Sequence, residues 1–424
     1  MNAREAALRI LQKVEEDGSY LNQMQKEVLI KLKDRDRQFA SALVFCVLEN
    51  RIRIDFVIDQ FVAKKPDKIA RQILRIGTAQ LLFMHVPESA AVNESVALAE
   101  KCGKKGQKGF LNAVLRKIGQ EKEQIKYPGK KNFVKHYSVM ESCPEWLVSM
   151  LAVQYSKVVA ADILTYKKQE NGINVRINAL LGKTEIDASE PSLYHENARR
   201  IRGENIENDP LYLAGKITPQ SESSMFCVEA AGIKEGMSVL DLCAAPGGKS
   251  AYAAEFKPEK IVSCDIHTHR CELMKKNFER LGVSAKVLVN DATVLREEFV
   301  GAFDVVLVDA PCSSLGLMYR KPDIKYAKTE EDLKEIIAMQ KKILKMAAEY
   351  VKPGGILLYS TCTINKEENE KNIEAFLVED ARFVGEAFPD ERLKNWAGEN
   401  KYSLQLIPPV HHTDGFYMAR LRKR

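Results

Sequence analysis

Nothing in the 424-residue chain approaches the roughly 20 consecutive apolar residues that a bilayer-spanning helix requires. The stretch Met1–Leu11 carries Arg4, Glu5 and Arg9 and lacks the apolar core of a signal peptide. These absences predict a cytoplasmic protein with no membrane partner. No Cys-x-x-Cys occurs, and the nine cysteines are scattered, which argues against a disulfide scaffold or a zinc site. Cys46, Cys143, Cys227 and Cys271 are expected to be small buried hydrophobes. His267, His269, His411 and His412 lack a partner at ligand spacing, so they are expected at the surface or in packing, and no metal is expected. Gly-x-Gly-x-x-Gly is missing, which disfavours a dinucleotide. No internal repeat or low-complexity tract interrupts the chain.

What remains is ordinary globular material, 45% hydrophobic and 29% charged, long enough for roughly three domains at about 150 residues each. The net charge of +6 is uneven. Residues 1–135 hold 26 Lys and Arg against 16 Asp and Glu, a balance of +10, so the rest carries −4. Lys101, Lys104, Lys105 and Lys108, then Lys126, Lys130, Lys131 and Lys135, concentrate it. Such segregation predicts a polyanionic partner, most simply nucleic acid.

Periodicity divides the chain. Ala7, Leu8, Leu11 and Val14 share a helical face, with Gly18 expected to end that helix. Helical spacing continues through Phe39–Leu48, Ile69–Leu81, Val92–Ala99 and Phe110–Ile118, so residues 1–135 read as an all-α domain. Pro144-Glu-Trp-Leu147 opens a further helix to about Tyr166, and Ile173–Ile177 alternates as a strand does. Residues 136–217 are expected to form a small α+β module. From 218 to 424, apolar runs at 238–242, 261–266, 285–289, 303–308 and 355–360 alternate with helix-length segments such as 269–281 and 330–350. Phe416–Ala419 fits a final strand. That rhythm predicts a mostly parallel, doubly wound α/β sheet.

Three of these runs end in reactive sequence. Val239-Leu-Asp241 opens into Leu242-Cys-Ala-Ala-Pro-Gly-Gly-Lys249, Phe303–Val308 into Asp309-Ala-Pro-Cys312, and Gly355–Tyr359 into Ser360-Thr-Cys362. In open α/β sheets ligands bind beyond strand C-termini, so a cofactor loop and two thiols share one crevice. Asp265 lies 24 residues after Asp241, a spacing suited to ribose hydroxyls, and Asp291 follows the next strand, placed to read an adenine. Several carboxylates around a nucleoside suit S-adenosylmethionine, which has a sulfonium cation and no phosphate.

Carbon 5 of a pyrimidine is a poor nucleophile. A thiolate added at C6 breaks aromaticity and makes C5 electron-rich enough to take a methyl group. The route needs a nucleophilic cysteine, an acid at N3 and help with release. Cys362, Asp309 and Cys312 can supply all three from neighbouring strand ends.

At these residues the chain resembles the RsmB (Sun/Fmu) family of 16S ribosomal RNA cytosine-C5 methyltransferases, within the NOP2/Sun superfamily. The likeness covers nearly the whole sequence. It rests on Asp241–Ser250, Asp309–Cys312, Arg320-Lys-Pro-Asp323, Tyr359–Thr363, Glu367-Glu-Asn369, Asp414-Gly-Phe416, Pro144–Leu147 and Gln220–Met225. The resemblance implies a NusB-like RNA-binding domain at 1–135, a small α+β RNA-binding or linker module at 136–217, and a Rossmann-like class I methyltransferase domain at 218–424. It assigns S-adenosylmethionine to Cys243, Ala244, Ala245, Pro246, Gly247, Gly248, Lys249, Asp265, Asp291 and Asp309. It makes Cys362 the nucleophile, Cys312 the thiol that aids release, and Asp309 the support for N3. The implied target is a cytidine of 16S ribosomal RNA, naked or in an assembling small subunit; nothing in the sequence demands more than a monomer. Ser314 stands where the family usually has glycine, and Tyr326 where tryptophan is common.

Two alternatives fit less of the sequence. An amino-group methyltransferase usually stacks the base on an aromatic residue after Asp/Asn-Pro-Pro, where this chain has Cys312. A non-catalytic RNA-binding factor explains the +10 charge but leaves both thiols and the 241–249 loop without purpose.

Overall fold

Among the described residues of the first 120, helical spacing produces seven α-helices: α1 (Ala3–Glu16), α2 (Leu21–Leu29), α3 (Asp34–Glu49), α4 (Arg51–Phe61), α5 (Lys68–Leu82), α6 (Glu88–Lys101) and α7 (Lys108–Gln120). A computed structural model describes residues 1–16, 21–167, 172–187, 189–202 and 206–424. Gly18, expected to end the first helix, lies outside the described residues. Helix α5 is the axis of this bundle: every residue from Ala70 to Gln80 is buried. Its N-terminus is capped by Asp67, whose carboxylate accepts from the Ala70 amide. Gly77 lets α7 approach, since a Cβ there would lie 2.6 Å from Leu115. The buried cation Arg75 is held by Asp55 at 2.7 Å and Glu15 at 3.0 Å, as burial of a charge demands.

Helices α8 (Phe133–Met140) and α9 (Glu145–Thr165) follow, and packing groups them with the bundle, so the boundary by packing falls after Thr165. Contrary to the expectation that no segment is apolar enough, α9 has the length and composition to cross a membrane, with a mean hydropathy of 1.5. It is not one continuous helix, however. Ser156, at φ 71° and ψ 160°, breaks it into two pieces, each shorter than the roughly 20 residues a span needs.

Packing divides the chain into two units, Met1–Thr165 with Met318–Lys328, and Tyr166–Leu317 with Thr329–Arg424. Within the first unit, segment 318–328 is pinned by Tyr326. Its hydroxyl donates to the Ser142 carbonyl at 2.7 Å, and its ring lies 3.7 Å beneath the Arg51 guanidinium. The Lys325 ammonium donates to the carbonyls of Glu141 and Glu49.

Among the described residues, the second unit contains two sheets. Strands β1 (Ile173–Ile177), β2 (Ser189–Pro191), β3 (Ala198–Ile201) and β4 (Ile217–Pro219) pair antiparallel in the order β2-β3-β1-β4, with a short helix α10 at Pro210–Leu213. The larger sheet uses β5 (Ser238–Asp241), β6 (Lys260–Asp265), β7 (Lys286–Val289), β8 (Phe303–Asp309), β9 (Val351–Thr361), β10 (Phe383–Gly385), β11 (Ser403–Leu406) and β12 (Phe416–Lys423). Its order is β10-β12-β9-β8-β5-β6-β7, with β11 paired to β12. The five strands β5 to β9 are parallel, and β12 runs antiparallel against β9. Helices α11 (Glu222–Ala231), α12 (Gly248–Ala253), α13 (Thr268–Leu281), α14 (Glu330–Tyr350) and α15 (Glu370–Glu379) accompany the sheet. The chain moves outward through β5, β6 and β7, then returns to place β8 on the other side of β5. This reversal makes a topological switch point at the carboxyl ends of β5 and β8, where open α/β sheets bind ligands.

The cysteines expected to be packing residues divide. Cys143, Cys227 and Cys271 are buried, and burial pushes the first two thiols up to about 12. Cys46 is half-buried, its thiol also pushed up to about 12 by burial.

Candidate active site

Register fixes where the sequence-predicted residues stand. Asp241 is level with Ser263 on β6 and Leu307 on β8, so Asp265 and Asp309 each project two residues further at the same edge. Asp291 follows β7. Four adjacent parallel strands thus each deliver one carboxylate to the carboxyl edge.

Asp241 is buried; one oxygen accepts from Ser250 Oγ at 2.7 Å and the other has no hydrogen-bond partner. Burial raises its pKa to about 6, with the Ser250 bond opposing. An unsatisfied buried acceptor costs free energy unless a donor arrives, which is what a ligand amine or hydroxyl provides. Gly247 has φ 98°, and a Cβ there would meet Phe278 at 2.7 Å, so only glycine brings this backbone to the crevice. The helix that follows is short, six residues at Gly248–Ala253. Asp265 is buried and accepts from the His267 amide at 2.9 Å. Asp291 is exposed; one oxygen accepts from the Thr293 amide and hydroxyl, which together hold its pKa below the usual range.

Lys249, expected as part of the cofactor loop, pairs with Asp309. Its ammonium meets Asp309 at 2.5 Å and lies 5.2 Å from the Phe416 ring. Burial lowers its pKa, but the Asp309 carboxylate reverses that and leaves it above the ordinary lysine value. Asp309 also accepts from Ser360 Oγ at 3.1 Å. This pairing has no sequence signal beyond the resemblance, because 60 residues separate the partners.

The two thiols meet. Cys312 Sγ and Cys362 Sγ are 3.3 Å apart, and both residues are half-buried. Parallel pairing of β8 with β9 puts Asp309 level with Ser360, so the segments Asp309–Cys312 and Ser360–Cys362 leave the sheet side by side. Cys362 is held below the ordinary thiol value chiefly by the hydrogen bond from Cys312, against the opposing effects of burial and of the Asp309 charge; Ser314 and Lys249 assist. Cys312 is held well above it, by donating that hydrogen bond, by burial, and by the nearby charges of Cys362 and Glu368. The environment therefore stabilises a thiolate on one sulfur only.

Ser314 has φ 60°, the left-handed region that favours glycine, and its hydroxyl lies 3.4 Å from Cys362 Sγ. The family's usual glycine at this position has a conformational reason. Ser314→Gly should raise stability by about 1 kcal/mol, read as a higher Tm, while weakening the contact to Cys362. An unchanged or lower Tm would contradict this.

The Cys312 loop is clamped from below by a glycine pair. The Gly316 amide donates to the Cys362 carbonyl at 3.1 Å, and the Gly415 amide to the Gly316 carbonyl at 3.0 Å. A Cβ on Gly316 would sit 2.0 Å from the Gly415 carbonyl oxygen. Gly316→Ala should cost about 1–3 kcal/mol and separate the two thiols, measured as a lower Tm with reduced turnover. Asp414-Gly-Phe416, known from the sequence only as a motif, is thereby placed against the cysteine loops.

A family model described as 16S rRNA methyltransferase RsmB/F matches residues 230–422, and the NusB family model matches residues 1–120. The probable ribosomal RNA small subunit methyltransferase B of Bacillus subtilis (strain 168) is 33% identical over 447 residues, spanning 100% of this chain and 99% of that protein. The chain belongs to the RsmB/F methyltransferase family. Its relative in Klebsiella pneumoniae subsp. pneumoniae, ribosomal RNA small subunit methyltransferase B, is 29% identical and is likewise matched along 99% of its length. Among solved structures, that of PH0851 superposes with a TM-score of 0.80 at 26% identity, covering 100% of this chain and 98% of that one. A methyltransferase homolog protein from Pyrococcus horikoshii gives a TM-score of 0.55 at 26% identity over 69% of this chain and 99% of that one. As an RsmB/F methyltransferase this protein uses S-adenosylmethionine, and the crevice fits it: an unsatisfied buried Asp241 oxygen, a side-chain-free Gly247, and carboxylates suited to a cation and a ribose.

The helical unit of this RsmB/F member qualifies the electrostatic expectation. Lys101 pairs with Glu5, Lys104 with Asp67, Lys105 and Lys108 with Glu100, and Lys135 with Glu145. Lys126, Lys130 and Lys131 have no carboxylate partner among the described residues. Exposed pairs are worth about 0–1 kcal/mol, so phosphates can displace those carboxylates.

Proposed function

We propose that the protein transfers a methyl group from S-adenosylmethionine to carbon 5 of a cytidine in 16S ribosomal RNA through a covalent Cys362–cytosine C6 intermediate. The observation that carries this reading is the 3.3 Å approach of two thiols beside Asp309, at the carboxyl edge of a methyltransferase sheet. A nitrogen or oxygen methyltransferase needs neither thiol.

In this mechanism the Cys362 thiolate adds to C6 while the proton shared between Asp309 and Lys249 passes from Asp309 to N3, neutralising the negative charge that develops there. When bound, S-adenosylmethionine supplies an electrophilic methyl group, held by the 243–249 loop, Asp265, Asp291 and Asp309. C5 takes that group, solvent water removes the C5 proton, the sulfur leaves C6 as thiolate, and Asp309 takes back the N3 proton, which restores the ring. Cys312 donates its S–H to the departing sulfur, so elimination releases a stabilised thiolate. The cytidine must leave its stack to reach Cys362, which costs a few kcal/mol less in a loop or single strand.

Residues 1–135 and 136–217 serve as RNA-binding surfaces on this reading, with Lys126, Lys130 and Lys131 as phosphate contacts. The target comes from the names of the relatives, which specify small subunit ribosomal RNA. The protein acts as a monomer in the cytoplasm, on naked RNA or on an assembling subunit.

Bisulfite sequencing of 16S RNA incubated with the enzyme and S-adenosylmethionine tests the reading. A single protected cytidine is expected. Methyl incorporation with no protected cytidine would contradict carbon 5 as the acceptor.

A further inference from the structure

Behind the two thiols lies a buried carboxylate that the reaction above does not use. Glu368 has no exposed surface. It sits in the turn between β9 and α15, six residues past Cys362, and it reaches both cysteine loops. One oxygen accepts from the Ser313 amide at 2.9 Å and from Gln340 Nε2 at 3.1 Å. The other accepts from Ser313 Oγ at 2.5 Å, from Asn365 Nδ2 at 3.1 Å and from Thr363 Oγ1 at 3.4 Å. Ser313 follows Cys312 and Thr363 follows Cys362, and their hydroxyls touch each other at 2.7 Å. Gln340 also donates to the Pro311 carbonyl at 2.9 Å, closing the ring on the other side of Cys312.

Ser313, Thr363, Asn365 and Gln340 are all buried. A carboxylate placed there is expensive, and a neutral glutamine would satisfy fewer of these donors. Its five hydrogen-bond donors are neutral, so they orient the anion without cancelling its charge. Glu368 bonds Ser313 at 2.5 and 2.9 Å but Thr363 only at 3.4 Å, so its uncompensated charge lies nearer the Cys312 loop, whereas the carboxylate that acts on Cys362, Asp309, is paired with Lys249; this difference breaks the symmetry of the two sulfurs.

We propose that Glu368 is the positioning residue of the cysteine pair: it ties the two loops together and its charge decides which sulfur is the nucleophile. A charge next to Ser313 opposes a second negative charge on Cys312, which keeps its proton and gives it in a hydrogen bond to Cys362. The direction of the thiol shifts agrees, since Glu368 is among the groups that hold Cys312 high. This inference rests on the proposed cysteine chemistry but is separable from it.

The test is site-resolved alkylation of the full-length protein by iodoacetamide over a pH series without RNA, read by peptide mass spectrometry. In the parent protein Cys362 should react before Cys312. In Glu368→Gln the Cys312-to-Cys362 reactivity ratio should rise about tenfold, the equivalent of one pKa unit between the thiols. Turnover should fall, with KM for S-adenosylmethionine within about twofold, because the cofactor loop is untouched. A purely structural Glu368 would change both thiols together, so an unmoved ratio in a folded variant overturns the proposal. Should Glu368→Gln fail to fold, Glu368→Asp carries the test: the charge remains, so Cys362 still reacts first, and a reversed order overturns the proposal. Failure here leaves the methyl-transfer reading intact, whereas full transfer by a Cys362 variant would defeat that reading whatever the alkylation ratio shows.

Discussion

Replacing Cys362 with alanine lowers methyl transfer to 16S RNA by at least about 10³-fold, while S-adenosylmethionine binds within about twofold of the parent affinity. The size of the effect follows from the chemistry. Without addition at C6 the ring stays aromatic, and the thiol that remains, Cys312, is held in its protonated, weakly nucleophilic form. Binding is spared because the carboxylates and the Gly247 turn belong to other strand ends. The measurement is tritium transfer from labelled cofactor, with calorimetric titration of the cofactor alongside. Undiminished transfer would contradict the nucleophile. The parent enzyme should also show an acid limb in kcat/KM. The reactive form is deprotonated, so activity is lost as pH falls through the Cys362 value, and that value lies below the ordinary thiol range.

Cys312→Ala has the second largest effect, and it is of a different kind. Addition and methylation still proceed, but the departing sulfur loses its hydrogen-bond donor at 3.3 Å. Turnover should fall by about 10²-fold or more, with a protein–RNA species that survives denaturation and gel electrophoresis. The adduct should vanish in the Cys312→Ala, Cys362→Ala double variant. A clean gel with full turnover would show that Cys312 takes no part in release.

These expectations came from a sequence that discloses some levels of structure better than others. The parallel strands β5, β6, β8 and β9 were legible because burial on both faces makes them near-continuous apolar runs, and β5, β8 and β9 end in polar, reactive loops. Strands β10 and β11 were not, being three and four residues long and antiparallel at the edge of the sheet. The break at Ser156 was hidden inside an apolar helical pattern. Segment 318–328 lies in the methyltransferase part of the sequence, yet packs through Lys325 and Tyr326 with the helical unit, which only tertiary contacts disclose.

The site divides in the same way. Asp241, Asp265, Asp309, Cys312 and Cys362 stood at predicted strand ends, so topology alone brought them to one edge. The partners that tune them did not announce themselves. Lys249 read as part of the cofactor loop and proves to be the partner of Asp309. Glu368 read as one letter of a motif and proves to be buried against Ser313 and Thr363. The basic cluster at 101–108 read as part of a charge bias toward a polyanion, but Lys101 and Lys104 are paired with Glu5 and Asp67, far off in sequence, and Lys105 and Lys108 with nearby Glu100. Pairings across many tens of residues leave no periodicity to read.

The most direct measurement uses an RNA substrate whose target cytidine carries fluorine at C5, which cannot leave as a proton does. Incubation with the parent enzyme and S-adenosylmethionine, followed by digestion and mass spectrometry, locates the trapped linkage. The account predicts a methylated fluorocytidine bonded to the peptide that contains Cys362. A linkage to Cys312, or methylation with no covalent species, would contradict it.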